Sequence, residues 1–146
     1  MNANHARIML LAQHERIRRL LETCTRLAGQ HQIGAPVELE LDEALARLRN
    51  EFADHNQAET AIIGDLLHGP AAWASLLVDR MLEEHVAEHA AFWELLTGTR
   101  AEVAERIAEL AEELDAHMAA EERTFLSPVT LRDDVIRVRT REHANE

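Results

Sequence analysis

The sequence predicts an all-α fold, an antiparallel up-down-up-down four-helix bundle. Three observations predict it. Ala, Leu, Glu and Arg, all strong helix formers, dominate the composition. Four stretches place apolar residues every three or four positions, the stripe of a helix with one buried face. Seven residues of metal-ligand type interrupt those stripes where a hydrophobe is expected: His14, His55, Glu59, His85, His89, His117 and Glu121. Together they predict a di-metal site in the core of the bundle.

The first stripe runs Leu10, His14, Ile17, Leu21, Cys24, Ala28, and the stretch from Gly29 to Pro36 closes its helix. The second runs Leu41, Leu45, Leu48, Phe52, His55, Glu59, Ile62, Leu66 and meets His68-Gly69-Pro70. The third runs Val78, Leu82, His85, His89, Phe92, Leu96 and ends at Thr97-Gly98-Thr99. The fourth runs Val103, Ile107, Leu110, Leu114, His117, Glu121. Thr99 with Glu102 has the spacing of a capping box that opens this last helix. Ser127-Pro128 is expected to stop it, because the residue before proline is pushed out of the α region.

Antiparallel geometry gives an internal check, since residues in one slice should flank their turn equally. The midpoint between His14 and His55 falls near residue 34, and that between Glu59 and His85 near 72, both at or beside a turn signal. The midpoint between His89 and His117 lies about five residues past Gly98, or roughly 7 Å along a helix. Either the third connection is a longer loop or the fourth helix overhangs the third. Residues 1–127 are thus expected to form the bundle domain and 128–146 a mixed-charge tail, in which Thr130 and Asp133 can cap a short helix.

A net charge of −12 argues against nucleic-acid binding, which needs a basic patch. No apolar run suits a signal peptide or a membrane span, so a cytoplasmic location is expected. Cys24 is the only cysteine and reads as a small core hydrophobe. Tyr is absent, which removes any phenolate ligand or tyrosyl radical. His5, His31, His68 and His143 fall near termini or loops and read as solvent-facing, while Trp73 and Trp93 read as packing near the third helix.

Any one of the seven polar residues could be a hydrogen-bonded core residue. Taken together, five imidazoles and two carboxylates in one dry layer would leave many polar groups unpaired, and buried charge without a partner is costly. Metal ions satisfy all of them. Seven ligands exceed one tetrahedral zinc site and fit two five- or six-coordinate ions that share carboxylates. A mixed imidazole and carboxylate set with no thiolate fits iron best, with manganese next and zinc an alternative on affinity. His85-Val86-Ala87-Glu88-His89 matches the H-x-x-E-H pattern of inverted zinc peptidases, but that reading leaves His14, His55 and His117 unexplained. Ferritin-like di-iron bundles carry Glu-x-x-His pairs, whereas the pairs here are spaced i, i+4.

A lone His on the first helix, His-x-x-x-Glu on the second, His-x-x-x-His on the third and His-x-x-x-Glu on the fourth resembles the hemerythrin-like (HHE cation-binding) family. The resemblance covers residues 10–126. It implies a non-haem di-iron centre with Glu59 and Glu121 as bridging carboxylates. It also implies that His85, His89 and His117 hold one iron, and that His14 and His55 hold the other with an open position. Oxygen-carrying hemerythrins usually end with His followed five residues later by Asp. Here His117 is followed four later by Glu121, one methylene longer and still able to bridge.

The expected function is reversible dioxygen binding for storage, delivery or sensing, a binding protein rather than an enzyme. An apolar neighbourhood of Leu10, Ile17, Phe52, Ile62, Leu82, Phe92 and Leu114 supports it. The alternatives are a di-iron redox enzyme acting on peroxide or nitric oxide, and an iron-handling protein. The expected partner is dioxygen or another small diatomic or peroxide ligand, with neither nucleic acid nor membrane involved.

Overall fold

The computed structural model describes residues 3–67, 72–124 and 126, with side chains described for 4–62, 83–124 and 126. Among these residues the protein is all-helical, with no strand. Its helices are α1 (Ala3–Gln32), α2 (Glu38–Leu67), α3 (Ala72–Leu96) and α4 (Arg100–Arg123). α1 packs on α2 and α4, and α3 packs on the same two helices.

The stripes read from sequence face the core wherever side chains are described. Leu10, Ile17, Leu21, Cys24 and Ala28 of α1 are buried, as are Leu41, Leu45, Leu48, Phe52 and Ile62 of α2. Phe92 and Leu96 of α3 are buried too, and so are Val103, Ile107, Leu110 and Leu114 of α4. Met118 joins them, one position off the predicted stripe. The side chains of Leu66, Trp73, Val78 and Leu82, together with His68-Gly69-Pro70, His143 and the segment 128–146, lie outside the described residues. Burial pushes the Cys24 thiol up to about 11, so it behaves as a core hydrophobe and not as a nucleophile.

Two boundaries differ from the sequence reading. α1 runs through Gly29 to Gln32, because Leu27 and Ala28 still bury against the core and outweigh the ~1 kcal/mol penalty of a helical glycine. The turn proper is at Gly34, whose φ of 90° is a left-handed conformation that suits glycine. Its N–H donates to the His31 carbonyl and that of Ala35 to the Gln30 carbonyl, which satisfies the end of α1. α4 ends at Arg123, before Ser127-Pro128 is reached. There Thr124 turns back, its N–H bonding the carbonyls of Ala120 and Glu121 and its hydroxyl bonding that of Ala120.

The third connection is a short turn, Thr97 to Thr99, and not a longer loop. Thr99 and Glu102 form the predicted capping box. Gly98 leaves room for it, since a Cβ there would sit 2.7 Å from Glu102 Oε2. Beyond the turn, α3 and α4 flank a cavity of about 500 Å³ lined by Phe92, Leu95, Gly98, Arg106 and Leu110, among others. Trp93 is 41% exposed, so it does not pack as expected. His31 is half-buried and not solvent-facing, with Nδ1 3.6 Å from Glu38 Oε1. No helix among the described residues is long and apolar enough to cross a membrane.

Candidate metal centre

The four helices bring all seven predicted ligands into one cluster. His14 comes from α1, His55 and Glu59 from α2, His85 and His89 from α3, and His117 and Glu121 from α4. The i, i+4 spacing of each pair puts both members on the same helical face. His14, His55, Glu59, His85 and Glu121 are buried, and His89 and His117 are nearly so.

Their donor atoms form two groups that could each hold a metal ion. One is His14, His55, Glu59 and Glu121; the other is His85, His89, His117 and Glu121. Both carboxylates divide their oxygens between the two sides. Glu59 Oε1 lies 2.6 Å from His55 Nε2 and 3.7 Å from His14 Nε2. Its Oε2 lies 2.9 Å from His85 Nε2 and 3.6 Å from His89 Nε2. Glu121 Oε2 lies 3.1 Å from His14 Nε2, while its Oε1 lies 2.9 Å from His85 Nε2 and also meets His117 Nε2.

The outward ring nitrogens explain this orientation. His14 Nδ1 lies 3.0 Å from Glu122 Oε2, and His55 Nδ1 lies 2.8 Å from Gln13 Oε1. His117 Nδ1 meets a carboxylate oxygen of Glu88. These oxygens only accept, so each Nδ1 donates and Nε2 is left facing inward. Outer hydrogen bonds of this kind orient metal-binding histidines and raise their basicity. Gln13, Glu88 and Glu122 were not singled out from sequence as partners of the site. The available signal was adjacency: each is the immediate neighbour of a candidate ligand, before His14, before His89 and after Glu121.

The inward atoms are electron-pair donors that need positive charge among them. His14 and His55 bring Nε2 within 3.1 Å of Nε2, and His89 and His117 within 3.2 Å. Buried Glu59 Oε1 and Glu121 Oε1 accept no hydrogen bond. In the metal-free protein, protons supply the charge. Burial lowers the His14 imidazole, but bonds to Glu121 and Glu59 outweigh it and hold the group at about 9. The same opposition, burial against Glu121 and Glu59, leaves His85 at about 10 and His55 raised. Burial pushes Glu59 and Glu121 up, yet the surrounding imidazoles keep both below the usual carboxylate range. Inward imidazole nitrogens, buried carboxylate oxygens among them and two donor groups that share a carboxylate also suit bound cations, which would take the place of those protons.

Phe52 forms a T-shaped pair with the His89 ring at a centroid distance of 5.5 Å, and Phe92 forms one with His117 at 5.6 Å. They close the cluster on the side of the buried hydrophobic layer. No protein-family model, curated protein or solved structure matches this chain.

Proposed function

We propose that this chain is a non-haem di-iron protein of hemerythrin type, an antiparallel up-down-up-down bundle that binds dioxygen reversibly. The observation that carries the reading is the division of oxygens in Glu59 and Glu121, one facing His14 and His55 and the other facing His85 and His89. That is the arrangement two carboxylates need to serve two ions at once. His85, His89 and His117 would hold one iron and His14 and His55 the other. Bound iron would supply the redox-active centre that a small diatomic ligand requires.

The donor count is unequal, three imidazoles on one side and two on the other. The side with fewer protein ligands is the one able to take an added ligand. It is also the drier, since His14 is 0% and His55 2% exposed. Leu10, Ile17, Phe52, Ile62 and Leu114 are all buried hydrocarbons, so they offer no acidic proton to assist release of reduced oxygen as hydrogen peroxide. The surrounding side chains therefore exclude water, and the absence of Tyr removes a residue that a reactive iron centre readily oxidises.

Stopped-flow spectroscopy of the reduced, iron-loaded protein mixed with oxygen tests the proposal. The expected result is a coloured species that disappears when oxygen is removed and returns when it is restored. Rapid irreversible oxidation with sustained peroxide consumption would replace the binding function with a redox enzyme. Loss of iron into solution would replace it with iron handling.

A further inference from the structure

We infer that Glu122, clamped by Arg18, is a positioning residue for His14 and through it controls one of the two metal positions selectively. The inference rests on the two-metal reading of the cluster and deepens it.

Glu122 follows the shared ligand Glu121 on α4, so the two side chains leave the helix about 100° apart. Glu121 turns inward at 3% exposure, whereas Glu122 sits at the boundary at 26%. Its Oε2 reaches His14 Nδ1 at 3.0 Å. A carboxylate there fixes the ring with Nδ1 protonated and Nε2 aimed at Glu121 and His55.

A half-exposed carboxylate would normally swing into water. Arg18 prevents it. Arg18 stands one turn beyond His14 on α1, and its Nη2 lies 3.0 and 2.9 Å from the two oxygens of Glu122. The guanidinium is itself fixed by Asp115 Oδ1 at 2.7 Å and by Glu15 Oε1 at 2.9 Å. Three carboxylates around one planar fork leave it little rotational freedom. The result is a chain from the surface to the core: Asp115 and Glu15 hold Arg18, Arg18 holds Glu122, and Glu122 orients His14.

The neighbouring histidine is treated differently. His55 Nδ1 faces the neutral amide oxygen of Gln13. A carboxylate raises the donor strength of an imidazole more than an amide does. His14 is thereby the stronger of the two imidazoles at its position, and Glu122 makes it so. The described bonds of Glu122 go to His14 and Arg18, which directs its influence to the group of His14, His55, Glu59 and Glu121.

The test uses cobalt(II) as the probe on the full chain, titrated against a competing chelator. The visible ligand-field spectrum and the unfolding midpoint of the metal-free protein are recorded alongside. Wild type should take up two ions. Glu122→Gln should hold one ion as tightly as wild type and the other about 10- to 100-fold more weakly, the usual range for losing a partner of this kind. The spectrum of that ion alone should change. Glu122→Asp should recover part of the affinity. Arg18→Gln should weaken the same ion by a smaller factor, and it decides the matter if Glu122→Gln does not fold. Two ions bound at wild-type affinity in both variants, or both weakened alike, would overturn the inference. A wild-type chain that binds no second cobalt ion would instead overturn the two-metal reading on which it rests.

Discussion

His14 and His55 are 41 residues apart in sequence and point their Nε2 atoms at each other across 3.1 Å. Nδ1 of each ring donates outward, to Glu122 and to Gln13. Two inward lone pairs at that distance repel unless a proton or a cation lies among them. The same relation holds between His89 and His117 at 3.2 Å. The expected outcome is two iron ions per chain, measured by elemental analysis together with the optical spectrum before and after exposure to air. Protein that retains a single zinc and takes up no iron would contradict it.

The division of oxygens in the carboxylates separates two kinds of variant. Glu59 and Glu121 each face both groups, so Glu59→Ala or Glu121→Ala should weaken both ions. His55 approaches Glu59 Oε1 and Glu121 Oε2, the oxygens on the His14 side, so His55→Ala should disturb one ion only. Each loss should be at least tenfold, since removing even an outer partner of a ligand typically costs that much. Metal content after dialysis against a chelator distinguishes them. Two irons retained in Glu59→Ala would show that Glu59 serves no more than one ion.

The stripes and the buried His/Glu cluster were legible because the interior of a helix pair tolerates few polar residues. A His or Glu in a three-four repeat of Leu, Ile and Phe is conspicuous against that background. The outer partners of these histidines were not legible for the opposite reason. Glu88 and Glu122 lie beside the stripe, where acidic residues are ordinary in a chain with 27 Asp and Glu. Only proximity across helices tells these from their solvated neighbours. Helix ends divided along similar lines. The Thr99–Glu102 box is local chemistry and could be read directly. Gly29 depended on whether Leu27 and Ala28 found a core, and the end of α4 on Thr124 bonding back to Ala120.

Phe52 should matter to both stability and the site. It is 1% exposed, forms a T-shaped pair with the His89 ring, and meets Phe92 at a centroid distance of 6.2 Å. Phe52→Ala removes most of a buried ring and should destabilise the metal-free protein by about 3–5 kcal/mol, read from urea unfolding. The cavity also admits water beside His89. A loss below about 1 kcal/mol would mean that the layer around Phe52 collapses freely or is not packed as described.

The pH dependence of the metal-free protein has a definite sign. His14 and His85 stand at about 9 and about 10, above the ordinary 6.5. Burial opposes the rise, and the bonds to Glu121 and Glu59 produce it. A group whose pKa is raised by folding contributes its full stabilisation below its unfolded value. That contribution therefore holds below pH 6.5 and fades as pH climbs through 9 and 10. Glu59 and Glu121 are shifted the other way, below 4.5, so their contribution is present above that pH and is lost only further into acid. Between those limits the imidazolium protons satisfy the carboxylates. Metal reverses the trend, because its ligands must shed those protons before they bind. Uptake of metal should release protons, and affinity should rise with pH across the same window. Thermal unfolding at pH 6, 7.5 and 9, with metal and with chelator, is the measurement. The melting temperature of the metal-free protein should fall across the series, and the gap to the loaded protein should widen. A metal-free protein that becomes more stable between pH 6 and 9 would contradict imidazolium pairing within the cluster.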